Sequence, residues 1–146
     1  MADDEKKTPD EVDDKVGAKV GIYFAKEHGN SLELAHDACE STKKLCESLN
    51  SFSSNQYFSQ ATAKKWFELA IKAEMLKFRT EAANARLAII SSKVESAVVR
   101  KEKPAADAAQ VKAIFSELEK ILEEVAKANE DAQVLLSELS QDVKSR

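Results

Sequence analysis

Two apolar repeats, each keeping a three-then-four spacing for about five heptads, dictate most of what this chain can fold into. The first runs through Trp66, Leu69, Ala73, Leu76, Thr80, Ala83, Leu87, Ile90, Val94 and Ala97. The second runs through Ala108, Val111, Phe115, Leu118, Leu122, Val125, Asn129, Ala132, Leu136, Leu139 and Val143. A strand would scatter each series over both faces, whereas a helix gathers it into one stripe. Pro104 is the only proline between them and marks where the chain turns back. The pattern predicts a long antiparallel helical hairpin, coiled-coil-like, with arms at about residues 59–101 and 105–143.

The rest of the chain supplies shorter helices. Thr8 reads as an N-cap, Pro9 as the first helical residue and Glu11 as the reciprocal member of a capping box. Val12, Val16, Val20, Tyr23 and Phe24 follow at helical spacing, and Gly29 after His28 supplies a left-handed stop. Asn30 caps a second helix with Glu33 three residues on, burying Ala35, Ala38, Cys39, Thr42, Leu45, Cys46 and Leu49. Residues 50–59 are rich in Ser, Asn and Gln around Phe52, Tyr57 and Phe58, a loop whose aromatics pin it to the bundle end. With three glycines and two prolines in 146 residues, and 43% hydrophobic, the chain has the composition of helices around one core. The expectation is all-α: an elongated antiparallel bundle of three to four helices, with residues 1–8 an acidic disordered tail and 9–146 a single domain.

The first two helices are about half the length of the hairpin arms, which sets an expectation about layout. Residues 66–78 are apolar on several faces, while beyond Ala85 the pattern narrows to a seam. A four-helix body would then enclose the start of the third helix and the end of the fourth, leaving residues 85–125 to project. Ile114 and Ile121 lie beside the seam of the fourth helix. They are either covered by the stems of Lys72, Arg79, Arg86, Lys93 and Arg100 or meet another molecule, and covering is the expectation. Asn129, a polar seam residue, should lie within a turn of Thr80 and hydrogen-bond to it, fixing register.

Charge narrows the function classes. Residues 1–15 hold seven acids against three lysines, residues 59–104 ten bases against five acids, and residues 105–146 nine acids against five bases. The arms of the hairpin are therefore complementary to each other, which discourages each from pairing with a copy of itself. A net charge of −4 argues against nucleic acid as a partner. No window is apolar for the roughly 18 residues of a membrane span. The acidic N-terminus predicts a cytoplasmic protein if Met1 is the native start, and a cell-surface or secreted one if a segment once preceded it.

Motifs for chemistry are sparse. Glu33 and His36 have the Glu-x-x-His spacing of carboxylate-bridged metal bundles, but no second copy accompanies them. His36 and Cys39 could give two zinc ligands, with no third or fourth in reach. Cys39 and Cys46 lie roughly 10 Å apart along a helix axis at about 1.5 Å per residue, too far to bridge each other. No phosphate loop, dinucleotide fingerprint or nucleophile elbow occurs. The expectation is a non-enzyme with no cofactor, no metal, no catalytic residue and no small-molecule ligand, working through a protein partner or self-association. The hairpin end offers the candidate contact patch: Val98, Val99, Arg100, Lys101, Lys103 and Ile114, apolar groups ringed by charge.

Long Ala/Glu-rich helices joined as an elongated bundle across residues 9–143, with an acidic head, resemble the helical surface antigens and receptors of trypanosomes. That resemblance implies a non-enzymatic surface antigen or receptor-like module. It carries over no functional residue, and the absence of a signal segment and of an intrachain disulfide departs from that pattern. The same layout is shared with apolipoprotein-like lipid-binding bundles and with cytosolic adaptors. A lipid carrier would flank a wide apolar face with lysines on every helix, which the acidic fourth helix fits poorly.

Overall fold

A computed structural model describes residues 9–29, 31–51 and 58–145, with side chains for 15–29, 32–51 and 58–138. Four helices make up the described chain: α1 (Pro9–His28), α2 (Ser31–Ser51), α3 (Gln60–Val99) and α4 (Ala108–Ser145). They pack against one another as an all-α bundle, and the described residues include no strand. The predicted caps at Thr8 and Asn30, the aromatics Phe52 and Tyr57, and the side chains of Val12, Leu139 and Val143 lie outside the described residues.

Local chemistry sets the helix ends. Gly29 adopts φ 65°, the left-handed conformation predicted for it, and lets α2 begin three residues after α1 ends. Ser59 caps α3 from extended backbone, its Oγ accepting from the Thr62 N–H at 3.1 Å. The far end of α3 closes through a six-residue wrap in which the Glu102 N–H donates to the Ala97 carbonyl and the Lys101 N–H to that of Val98. Lys101 takes the left-handed position of this wrap, φ 58°, with no glycine to relieve it. Asp107 then caps α4, its Oδ1 accepting from the Ala109 and Gln110 N–H groups at 3.0 and 3.3 Å. The fourth helix thus starts at Ala108 rather than Ala105, and Asp107 with Gln110 three residues on was the sequence signal for it.

The α3 seam is buried as its spacing requires, from Trp66 through Val94, with Thr62 extending it by one step. The α4 stripe differs. Its buried residues are Val111, Ile114, Phe115, Leu118, Ile121, Val125, Ala128, Ala132 and Leu135, with Leu122 and Leu136 half-buried. Two interleaved repeats share Val111, Leu118, Val125 and Ala132, and the full one passes through Ile114, Ile121, Ala128 and Leu135. Asn129 therefore faces solvent, and the hydrogen bond expected between it and Thr80 does not form. Thr80 is satisfied inside its own helix, its hydroxyl donating to the Leu76 carbonyl at 2.9 Å. The physical cause is a third neighbour. α2 touches both α3 and α4, so α4 presents a stripe wide enough for two partners, not the single seam of a two-stranded pair.

The layout of the first two helices also departs from expectation. Tyr23 Oη accepts from the Ala106 N–H at 2.8 Å, tying the end of α1 to the turn between α3 and α4. His28 shares a surface groove with Val111 and Phe115. From there α2 runs back along the hairpin, past Asn84, whose Nδ2 lies 2.6 Å from Cys39 Sγ, to Trp66, whose Nε1 donates to the Leu49 carbonyl at 2.7 Å. α2 runs alongside the hairpin and the end of α1 sits at its turn, so residues 85–125 do not project bare beyond a four-helix body. One core runs the whole way, from Phe24 at the turn end to Phe58 and Trp66 at the other, their rings 5.3 Å apart.

Candidate interaction face

The structure exposes four of the six residues singled out as a contact patch and buries one of them. Val99, Arg100, Lys101 and Lys103 are exposed, but Ile114 is buried at 5% exposure and Val98 is half-buried against the core. The helix-closing wrap at Lys101 draws the Ala97 and Val98 carbonyls into hydrogen bonds, and the end of α1 occupies the turn. Ile114 and Val98 thus belong to the interior.

The basic row of α3 takes up the covering role expected for it at one point in full. Arg79 Nε donates to Glu117 Oε1 at 2.8 Å and its Nη1 to Glu124 Oε2. Those carboxylates stand one turn to either side of Ile121 on the same face of α4, and Ile121 is fully buried. Hydrogen bonding to Arg79 holds the Glu117 carboxyl below its ordinary value, and hydrogen bonding to Glu117 raises Arg79. Arg86 and Lys93 flank Ile114 in a shallow groove with Ile89, Ile90, Gln110 and Ala113.

The candidate metal residues Glu33 and His36 line one shallow surface groove with Leu32 and Asp37. His36 is exposed, 3.7 Å from the Asp37 carboxylate beside it. Cys39, expected on the buried face of α2, is exposed; Cys46 is buried, and both are free thiols. Burial, with Glu74 beside it, pushes the Cys46 thiol upward, which disfavours its thiolate form. Among the described residues no three His, Cys, Asp or Glu side chains gather to hold a metal ion, and no helix is long and apolar enough to cross a membrane.

The feature that does stand out is on the outer face of α3. Phe67, Ile71, Met75, Phe78 and Ile89 are 64%, 46%, 60%, 65% and 59% exposed. With Ala82 and Ala85, also exposed, the members from Ile71 to Ile89 keep a four-three spacing that places them in one line opposite the core seam. The sequence shows residues 66–78 apolar on several faces, a surplus expected to be buried by the short helices. α2 instead covers the inner side only, and the end of α1 lies at the turn, so the line is left exposed along its length, with Ile89 at the rim of the α4 groove. A second repeat offset from the first was the signal that could have found it. The line spans about 27 Å at 1.5 Å per residue, more contiguous apolar surface than a solvated helix needs.

Comparison with known protein families, curated proteins and solved structures finds no match to this chain.

Proposed function

We propose that this protein is a non-enzymatic helical bundle that works by binding another protein surface, as a structural or interaction module, and that the outer face of α3 is where it binds. The observation that carries this reading is the exposed line from Ile71 to Ile89, joined by Phe67. Large apolar side chains in register along one helix are costly to leave in water and match the anchor spacing of helix-to-helix recognition. The resemblance to trypanosome surface antigens is compatible with such a role and rests on composition and helix layout alone.

A photo-crosslinking amino acid placed at Phe78 in the cell of origin tests the reading. The expected outcome is a defined protein adduct at Phe78 and none from the same reagent at Glu123, an exposed position on α4. Equal, diffuse labelling at both positions would remove the basis for an interaction face on α3.

A further inference from the structure

We infer that the partner seated on the outer face of α3 is a second copy of the same chain, its α3 running parallel to the first; this rests on the interaction reading above and names its occupant. The argument comes from the charges that border the apolar line. Written as a heptad, the line alternates between inner positions Met75, Ala82 and Ile89 and inner positions Ile71, Phe78 and Ala85. The row immediately following the second set is Lys72, Arg79, Arg86, Lys93 and Arg100, every member basic. The row immediately preceding the first set is Glu74, Glu81 and Ala88, continued past the end of the line by Glu95, and it holds no base. One border is a basic rail and the other an acidic one.

Segregation of this kind selects both partner and direction. In a parallel pair of identical helices, each preceding-row residue faces the following-row residue five positions on in the other copy. That sets Glu81 against Arg86 along the line and Glu95 against Arg100 just beyond it, while Arg79, the position opposite Glu74, is already held by α4; the two-fold axis repeats each contact on the other side. An antiparallel pair would set the basic rail against itself. An anionic membrane would be drawn to the basic rail and repelled by the acidic one, and a partner of single-sign charge would likewise satisfy one border only.

Ten bases against five acids over residues 59–104 oppose self-pairing on a whole-arm count. Position outweighs that count, because Arg79 is already bonded to Glu117 and Glu124 of α4, which offsets part of the excess within the same chain. Glu81 and Arg86 are both exposed and make no ion pair to each other or to α4 among the described contacts, leaving that cross-copy contact open. The apolar line is about 27 Å long and one helix wide, short of the roughly 800 Å² per partner of a standard interface, so the dimer is weak, with a Kd in the micromolar range.

The test is charge reversal read by sedimentation equilibrium of the purified full chain from about 1 to 500 µM, a range chosen to bracket a micromolar Kd. The native chain is expected to pass from monomer to dimer. Glu81→Arg alone and Arg86→Glu alone each place like charges across both sides of the pair, and each should weaken the dimer at least tenfold. The double variant Glu81→Arg with Arg86→Glu, and an equimolar mixture of the two single variants, should each regain it. A native chain that stays monomeric throughout, single variants that dimerise as the native chain does, or a double variant and mixture that stay monomeric would each overturn the proposal. Should a variant lose its helical circular dichroism, the same reversal at Glu95 and Arg100 asks the same question two heptads further on. A monomeric native chain whose Phe78 position still crosslinks to a different protein in cells would sink the second copy while leaving the interaction reading standing.

Discussion

Lys101 shows how much a single backbone conformation can decide. Its φ of 58° completes the wrap that ends α3, yet a side chain there brings Cβ against the following carbonyl. Glycine would adopt the same conformation without that contact. Lys101→Gly should therefore raise stability by about 1 kcal/mol, less whatever the extra freedom of glycine costs in the unfolded chain. Chemical denaturation at neutral pH measures it; a loss of stability would mean that the lysine side chain makes a contact worth more than its strain. The buried threonines illustrate the opposite economy. Thr42 and Thr80 bury hydroxyls without needing a partner on another helix, since each donates to the carbonyl four residues back.

At the scale of elements, α3 and α4 are joined by apolar contact along their length and by the Arg79 clamp at one level. Glu117 is held below its ordinary value near 4.5, so its contribution to stability is present at neutral pH, where the carboxylate is charged in both folded and unfolded chains. That contribution is lost as pH falls below 4.5 toward the folded-state value, because the unfolded chain then takes up the proton first. Side-chain exposure of 37% for Arg79 and 31% for Glu117 screens the pair, which limits the effect to about 0.5–1 kcal/mol. Glu117→Gln should lower stability by that amount at pH 7 and make little difference at pH 3, as read by urea denaturation at the two values. An equal loss at both would assign the role to packing. The buried isoleucine beneath the clamp matters more: Ile121 is fully buried, and a buried Ile or Leu cut to Ala typically costs about 2–5 kcal/mol.

At the scale of the whole described chain, the two long helices α3 and α4 set the length, with α2 packed alongside them and the end of α1 at their turn. A 40-residue α3 is about 60 Å long at 1.5 Å per residue. A chain of this size packed as a sphere would have a radius of gyration of about 15 Å, whereas a rod of that length has about 20 Å. X-ray scattering at concentrations dilute enough to hold the chain as single copies should return the larger figure. A value near 15 Å would mean that the hairpin folds back on itself.

The sequence by itself determined the helices. Gly29 and Ser59 are local stops and starts whose effect needs only neighbouring backbone, and the α3 seam from Trp66 to Val94 follows from spacing alone, because a helix has one way to gather a three-then-four repeat. Tertiary structure decided which of two overlapping repeats on α4 turned inward, exposing Asn129 and burying Ile114 and Ile121. It also sent α1 to the turn, where Tyr23 meets Ala106, and so left Phe67, Ile71, Met75 and Phe78 bare. The reason is physical: periodicity fixes which residues share a face, but which face is covered depends on where the other helices lie. For an apolar surplus spread round a helix, only the position of its neighbours separates core from contact surface.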